Sequence, residues 1–346
     1  MTNHLSLADM GWQPFFQQQL SLDEWEAARP GRIVEQYRTE LEVMTETGKE
    51  TLPVTASMPS LTVGDWVLLQ PDNRIERVLE RISCFRRFAA GSKVAAQLIA
   101  ANVDTAFIVC SMNDDFNLNR IERYLSLVND AGAEAVVVLS KMDLCAEPEA
   151  LRQQVQQLDS YLMVTMVNCE DTQSVNALMP WCQPGKTVVL LGSSGVGKST
   201  LTNTLSGTAQ QSTHAIREDD SKGRHTTTRR SLLTIPNGCM ILDTPGMREL
   251  QLADCESGLA ATFADIEALA LSCRFNDCQH DSEPGCAVQQ AIVNGELDER
   301  RLGNYRKLSR EQAFNAASLA ERRAGERELS QLYQRVQRES RKIRRG

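Results

Sequence analysis

The sequence predicts an α/β fold in three parts, and three observations carry that prediction. Apolar runs alternate with amphipathic helical stretches through the middle of the chain, short turn-separated strands precede them, and a Cys/His cluster with polar helices follows. Strand–helix alternation of this kind builds a parallel sheet covered on both faces. At ~100–200 residues per domain, a chain of 346 residues holds two or three.

Residues 32–85 read as short strands: RIVEQY, ELEVMT, a TGKE turn, TLPVTAS, LTVGDWVLLQ and NRIERVLERIS. Alternation at Leu41 and Val43, and again around Trp66 and Leu68, gives these strands one buried face. Five strands of this length suit an OB-like β-barrel. After the arginine-bearing stretch CFRRFAAGSK come the strands AFIVC, AVVVLS, YLMVTMV and TVVLLG, separated by helices such as RIERYLSLVNDAG, and then SLLTI and CMILD. From about Ser257 the chain turns helical, passes a Cys/His cluster and ends in long polar helices.

Composition excludes several classes. With 42% hydrophobic and 24% charged residues the chain is an ordinary globular protein, neither disordered nor collagen-like. No uncharged apolar run approaches the ~18 residues that cross a bilayer, so no membrane association is expected. The start, MTNHLSLADMGWQPFFQQQ, has no basic segment leading into an apolar one, so a cytoplasmic, reduced protein is expected despite ten cysteines. The net charge of −8 argues against a surface that is basic throughout. Yet residues 300–346 carry fourteen Lys and Arg against five Asp and Glu, so positive charge is concentrated at one end.

The central segment carries the chemistry. Gly192, Ser193, Ser194, Gly195, Val196, Gly197, Lys198 and Ser199 spell GxxxxGK[ST] directly after the strand TVVLL, and Thr200 opens the helical run that follows. Glycines let the backbone curl so that successive N–H groups and a helix N-terminus face a phosphate. Lys198 then neutralises the β and γ phosphates, and the Ser199 hydroxyl ligates magnesium. Asp243, in DTPG after the strand CMIL, supplies a carboxylate for the same ion, and the Gly246 N–H senses the γ phosphate. Between the two motifs lies GRHTTT, residues 223–228, where one of Thr226, Thr227 or Thr228 completes the magnesium shell as a switch segment does; Thr226 is the assignment adopted.

Ser140, Lys141, Met142 and Asp143 form SKMD at the end of the strand AVVVL, close to the NKxD pattern that reads guanine. The Asp143 carboxylate accepts from guanine N1–H and the 2-amino group, whereas adenine offers neither donor and leaves the carboxylate unpaired. Lys141 lies along the base through its aliphatic stem. Ser140 departs from the pattern, because a hydroxyl is shorter than an Asn amide and replaces only part of its hydrogen bonding. The order of motifs is also unusual: base motif, then phosphate loop, then DTPG. That order defines a circularly permuted P-loop GTPase domain, in which the chain leaves the domain directly after the second switch.

With these residues the chain resembles the RsgA family, also called YjeQ or EngC, over nearly its whole length. The resemblance rests on VGDWV, QLIAANVDTAFIV, NRIERYL, SKMD, GSSGVGKST, GRHTTT, DTPG and the Cys/His cluster. It implies a late assembly factor that binds the small ribosomal subunit and its rRNA, turns GTP into GDP slowly alone and faster on the subunit, and then dissociates. Residues 1–95 are then an N-terminal extension and OB-like RNA-binding domain, 96–252 the GTPase domain, and 253–346 a helical zinc-binding domain with a basic tail. A monomer is expected.

Cys273, Cys278, His280 and Cys286 lie within fourteen residues as CxxxxCxHxxxxxC, a donor set suited to one closed structural zinc ion. The other seven cysteines are scattered singly and read as small buried hydrophobes. Where many GTPases carry a water-orienting Gln after DxxG, this chain has Met247, so low intrinsic turnover is expected. His225 is the nearby titratable group that could position water, and the resemblance points to it as catalytic together with Lys198. Arg81, Arg86, Arg87, Lys93 and the basic tail are candidate contacts to RNA backbone, with binding that weakens as salt rises. The rival readings are an RNA-binding scaffold that holds GTP without turnover and a P-loop ATPase or nucleotide kinase.

Overall fold

The computed structural model describes residues 5–55, 58–88, 96–207, 230–243 and 255–315. They divide into two compact units, one built from Met1–Arg86 and Leu98–Leu250, the other from Arg87–Gln97 and Gln251–Gly346. Among the described residues no helix is long and apolar enough to cross a membrane.

The first unit is organised by one eleven-stranded sheet. Five N-terminal strands are β1 (Arg29–Gln36), β2 (Glu40–Thr45), β3 (Gly48–Pro53), β4 (Trp66–Leu69) and β5 (Ile75–Val78). They pair antiparallel in the order β3-β2-β1-β4-β5, β1 serving both sides. β4 is buried along its whole length, and Trp66 packs edge-on against Trp12 at 4.8 Å and against Phe16 at 5.8 Å, so the N-terminal extension closes over this group of strands. The five strands expected here are present, but half of their ends lie three to five residues from the expected ones, and β3 begins at Gly48, inside the expected TGKE turn.

Two strands, β6 (Cys84–Phe88) and β7 (Ala96–Ala101), form a separate pair. The remaining strands are β8 (Thr105–Ser111), β9 (Glu134–Ser140), β10 (Met163–Val167), β11 (Thr187–Leu191), β12 (Arg230–Thr234) and β13 (Met240–Asp243). β10, β9, β8, β11 and β13 run parallel in that order, and β12 closes the series antiparallel to β13. β8 and β9 are almost continuously apolar because helices cover both faces, as all-parallel strands require. The helix Leu118–Ala131 lays Ile121, Leu125 and Val128 against them, starts at an Asn117 cap and stops at Gly132 in the left-handed region.

β12 also pairs with β1, with Glu35 opposite Ser231 and Gln36 opposite Arg230, so the N-terminal strands and the parallel strands form one continuous sheet. Arg32 fixes that junction. Its guanidinium, 2% exposed, donates to the Met10 carbonyl at 2.5 Å, the Asn102 carbonyl at 3.1 Å and the Thr187 hydroxyl at 2.8 Å. Burial lowers its pKa to about 10, which still leaves it charged near neutrality.

The second unit contains the helices Glu256–Thr262, Ala264–Ala270 and Ala287–Val293, and helical residues 299–315. Arg301 holds it together, lying over the Phe263 ring at 4.9 Å and donating through both Nε and Nη2 to Asp265 at 2.8 Å.

Candidate nucleotide site and metal cluster

Chain order sets where a ligand fits. β8, β9 and β10 succeed one another toward one edge of the sheet, and the chain then returns so that β11 lies on the other side of β8. At such a reversal the loops leaving adjacent strands diverge and open a crevice at the carboxyl ends. The phosphate loop leaves β11 there, and the base motif leaves β9 two strands away.

Within the loop, Gly192 has φ +141° and a Cβ would sit 2.3 Å from the Val109 carbonyl oxygen, so only glycine lets β11 turn so close to β8. Gly197 has φ +100° and caps the helix Lys198–Ser206, whose first turn carries Lys198, Ser199 and Thr200. Lys198 Nζ folds over the loop, donating to the carbonyls of Gly192, at 2.7 Å, and Ser193. That places the ammonium on the concave side that the backbone curl creates. Asp243 ends β13, the strand next to β11, opposite Ser231 of β12.

The base motif is tied to the phosphate loop. Ser140, wholly buried, donates its hydroxyl to the Val196 carbonyl at 2.6 Å. Lys141 takes φ +60° and starts a 3-10 turn over Met142–Leu144, which leaves Asp143 exposed at the mouth of the crevice. His225, Thr226, Thr227, Thr228, Gly246, Met247 and Lys93 lie outside the described residues, as does the tail beyond residue 315. Of the candidate RNA contacts, Arg81 is committed elsewhere, paired through Nε at 2.6 Å and Nη2 at 2.9 Å with the fully buried Asp65. Arg86 is half exposed, and Arg87 donates to Gln97.

Two further residues belong to this crevice, and one of them, Cys169, is the small buried hydrophobe that the sequence predicts. Cys169, in the loop after β10, lies beside Gly197, and its carbonyl accepts from the Thr204 hydroxyl at 2.6 Å. Burial, and then the charge of Asp143, push its thiol up to about 11, so it is a packing group and not a nucleophile. Arg120, from the first turn of the Leu118–Ala131 helix, donates to the Ser193 hydroxyl at 2.6 Å and to Asp115 at 2.7 Å. Its signal was in the sequence: three residues past the Asn117 cap, helices favour Glu, and a cation there opposes the helix dipole.

In the second unit the ligand atoms of Cys273, Cys278, His280 and Cys286 all lie within 4.8 Å of one another. A tetrahedron with metal–sulfur bonds of ~2.3 Å has sulfur–sulfur edges of about 3.8 Å. Cys273 and Cys286 Sγ are 3.9 Å apart, and each is 3.5 Å from His280 Nδ1. Burial and neighbouring Arg306 lower the His280 pKa, which favours the neutral ring that ligates a metal. The Glu283 carboxylate accepts from three backbone N–H groups of residues 279, 281 and 282 and so folds the knuckle around the cluster. The four donors fit one tetrahedral metal ion.

A phosphate loop after the central strand, with a base motif earlier in the chain, defines a circularly permuted P-loop nucleotide-binding protein. The RsgA GTPase family model matches residues 78–253. The small ribosomal subunit biogenesis GTPase RsgA 2 of Vibrio parahaemolyticus is 57% identical over 336 residues, covering 97% of this chain and 94% of the relative. The small ribosomal subunit biogenesis GTPase RsgA of Mesorhizobium japonicum is 48% identical over 316 residues, 90% of this chain and 91% of that one. Among solved structures, YjeQ from Thermotoga maritima matches at 27% identity with a TM-score of 0.59, over 81% of this chain and 97% of its own. The circularly permuted GTPase YloQ shares the fold at a TM-score of 0.57 and 24% identity, over 82% and 94% respectively. The chain belongs to the RsgA GTPase family, and it is accordingly a GTPase.

Proposed function

We propose that this protein is a GTPase of small ribosomal subunit maturation, which binds the subunit and its rRNA, hydrolyses GTP to GDP and phosphate there, and then dissociates. The relatives named above are small ribosomal subunit biogenesis GTPases, which supports the biological role. The observation that carries the site is the Ser140–Val196 hydrogen bond, which joins base motif and phosphate loop at one crevice.

In this reading the backbone of Gly192–Thr200 cradles the phosphates and Lys198 neutralises charge on the β and γ groups. Asp143 selects guanine, flanked by Ser140, Lys141 and Met142. Ser199, Asp243 and one of the threonines 226–228 hold magnesium, which when bound offsets phosphate charge. The Gly246 N–H senses the γ phosphate, and His225 positions the attacking water in place of the Gln that Met247 replaces. Residues 1–95 serve as the OB-like RNA-binding part, 96–252 as the GTPase part, and 253–346 as a part organised by one structural zinc ion on Cys273, Cys278, His280 and Cys286. The protein acts as a cytoplasmic monomer.

The test is GTP hydrolysis by the purified chain with and without small subunits at low and high salt. Stimulation that fades as salt rises is expected, because backbone contacts release counterions. Equal rates with and without subunits at every salt concentration would sink the reading.

A further inference from the structure

We infer that Arg120 is a positioning residue for the phosphate loop, acting through the Ser193 side chain and held in place by Asp115; the inference rests on the guanine-nucleotide reading of that loop. Arg120 Nη1 donates to Ser193 Oγ at 2.6 Å and to Asp115 Oδ2 at 2.7 Å, spanning 73 residues of sequence to reach the loop. Both bonds are charge-assisted, so they are the strong kind. Ser193 is the second residue of the loop, next to the glycine whose carbonyl accepts from Lys198. Fixing its side chain fixes the curl on which the backbone N–H groups and the lysine depend.

Position argues for function over helix stability. Arg120 occupies the third residue of its helix, with its own N–H bonded to the Asn117 side chain at 3.1 Å. A cation there faces the positive end of the dipole, where an acidic residue would stabilise the helix instead. Asp115, in the loop that leaves β8, offsets that cost and aims the guanidinium across the gap. β8 and β11 are the parallel neighbours between which the order of strands along the chain reverses, so the Arg120–Ser193 bond ties together the segments on the two sides of the crevice. A local rule is broken where a ligand site needs it broken.

The test is a double-mutant cycle on Arg120→Ala and Ser193→Ala, read as the Kd of a fluorescent GDP analogue, with thermal melting followed in parallel. Each single change should weaken GDP binding roughly five- to tenfold, and the double variant should be no weaker than the worse single one, because both remove one interaction. Arg120→Lys, which keeps charge but loses the planar fork, should recover part of the loss. A merely structural Arg120 would lower the melting temperature and leave the GDP Kd unchanged; that result, or effects of the two single changes that simply multiply, would overturn the inference. A wild-type chain that bound no guanine nucleotide would remove the parent reading as well, which separates the two failures.

Discussion

The Ser140 hydroxyl donates to the Val196 carbonyl at 2.6 Å across 56 residues of sequence. The sequence raised a doubt here, since a serine is shorter than the asparagine usual in a guanine motif. β9 ends close enough to the loop for a side chain as short as serine to reach the Val196 carbonyl. Ser140→Ala would leave a buried carbonyl without this donor, at a cost of about 1–3 kcal/mol. The expected outcome is a several-fold weaker GDP Kd with the preference over ATP intact, because Asp143 sets that preference. Competition binding with unlabelled GTP and ATP reads both quantities.

How much the sequence disclosed follows from what is local. Most strands, the phosphate loop and the Cys/His cluster are fixed by alternation, glycine placement and short spacing and are legible, whereas β6 and β7 are not, since CFRRF and AQLIAA show no clear alternation. The misplaced cation at Arg120 and the buried character of Cys169 are legible as well, but their place in the crevice is not, because each joins it only when strands distant in the chain are placed side by side. The β1–β12 pairing, with Gln36 opposite Arg230, escaped for the same reason. Arg81 was misread in the other direction. It reads as a candidate contact to RNA backbone, and only the fold shows it paired with a buried Asp65.

Arg32 makes the clearest stability prediction. Arg32→Met removes the three bonds donated to oxygen, with a longer one to the Met240 sulfur, and leaves the Met10 and Asn102 carbonyls and the Thr187 hydroxyl to find other partners. Because those groups are buried, the loss should be on the order of 3 kcal/mol, more than a surface arginine would cost. Urea unfolding of the variant should show a lower midpoint. A midpoint equal to wild type would mean that the sheet junction does not depend on this guanidinium.

Glu24 makes a pH prediction. Its hydrogen bond with Arg77, and then the backbone N–H of Ser21, lower its pKa from 4.5 to about 2. A carboxylate with a depressed folded-state value stabilises fully above 4.5, and the contribution is lost as pH falls toward 2. Glu24→Gln should therefore lower the urea midpoint at neutral pH, and the gap to wild type should close on acidification. A gap constant from pH 6 to pH 2 would refute the ion-pair origin.

The metal cluster makes a prediction about the local fold. Cys286 has two jobs: its Sγ belongs to the donor set, and it also caps the helix Ala287–Val293 by accepting from the Gln289 N–H at 3.4 Å. Metal at this position would tie the knuckle at Cys273 to the start of that helix, so removing metal should loosen both together. Purified protein should carry one zinc per chain by elemental analysis. A strong chelator should then lower the helical circular dichroism signal in proportion to zinc removed. Cys286→Ser retains a hydrogen-bond acceptor for the cap but supplies a poorer zinc ligand. It should therefore lose zinc while losing less helicity than Cys286→Ala, which lacks both functions. Equal helicity in the two variants would separate the cap from the metal and leave the helix dependent on the ion alone.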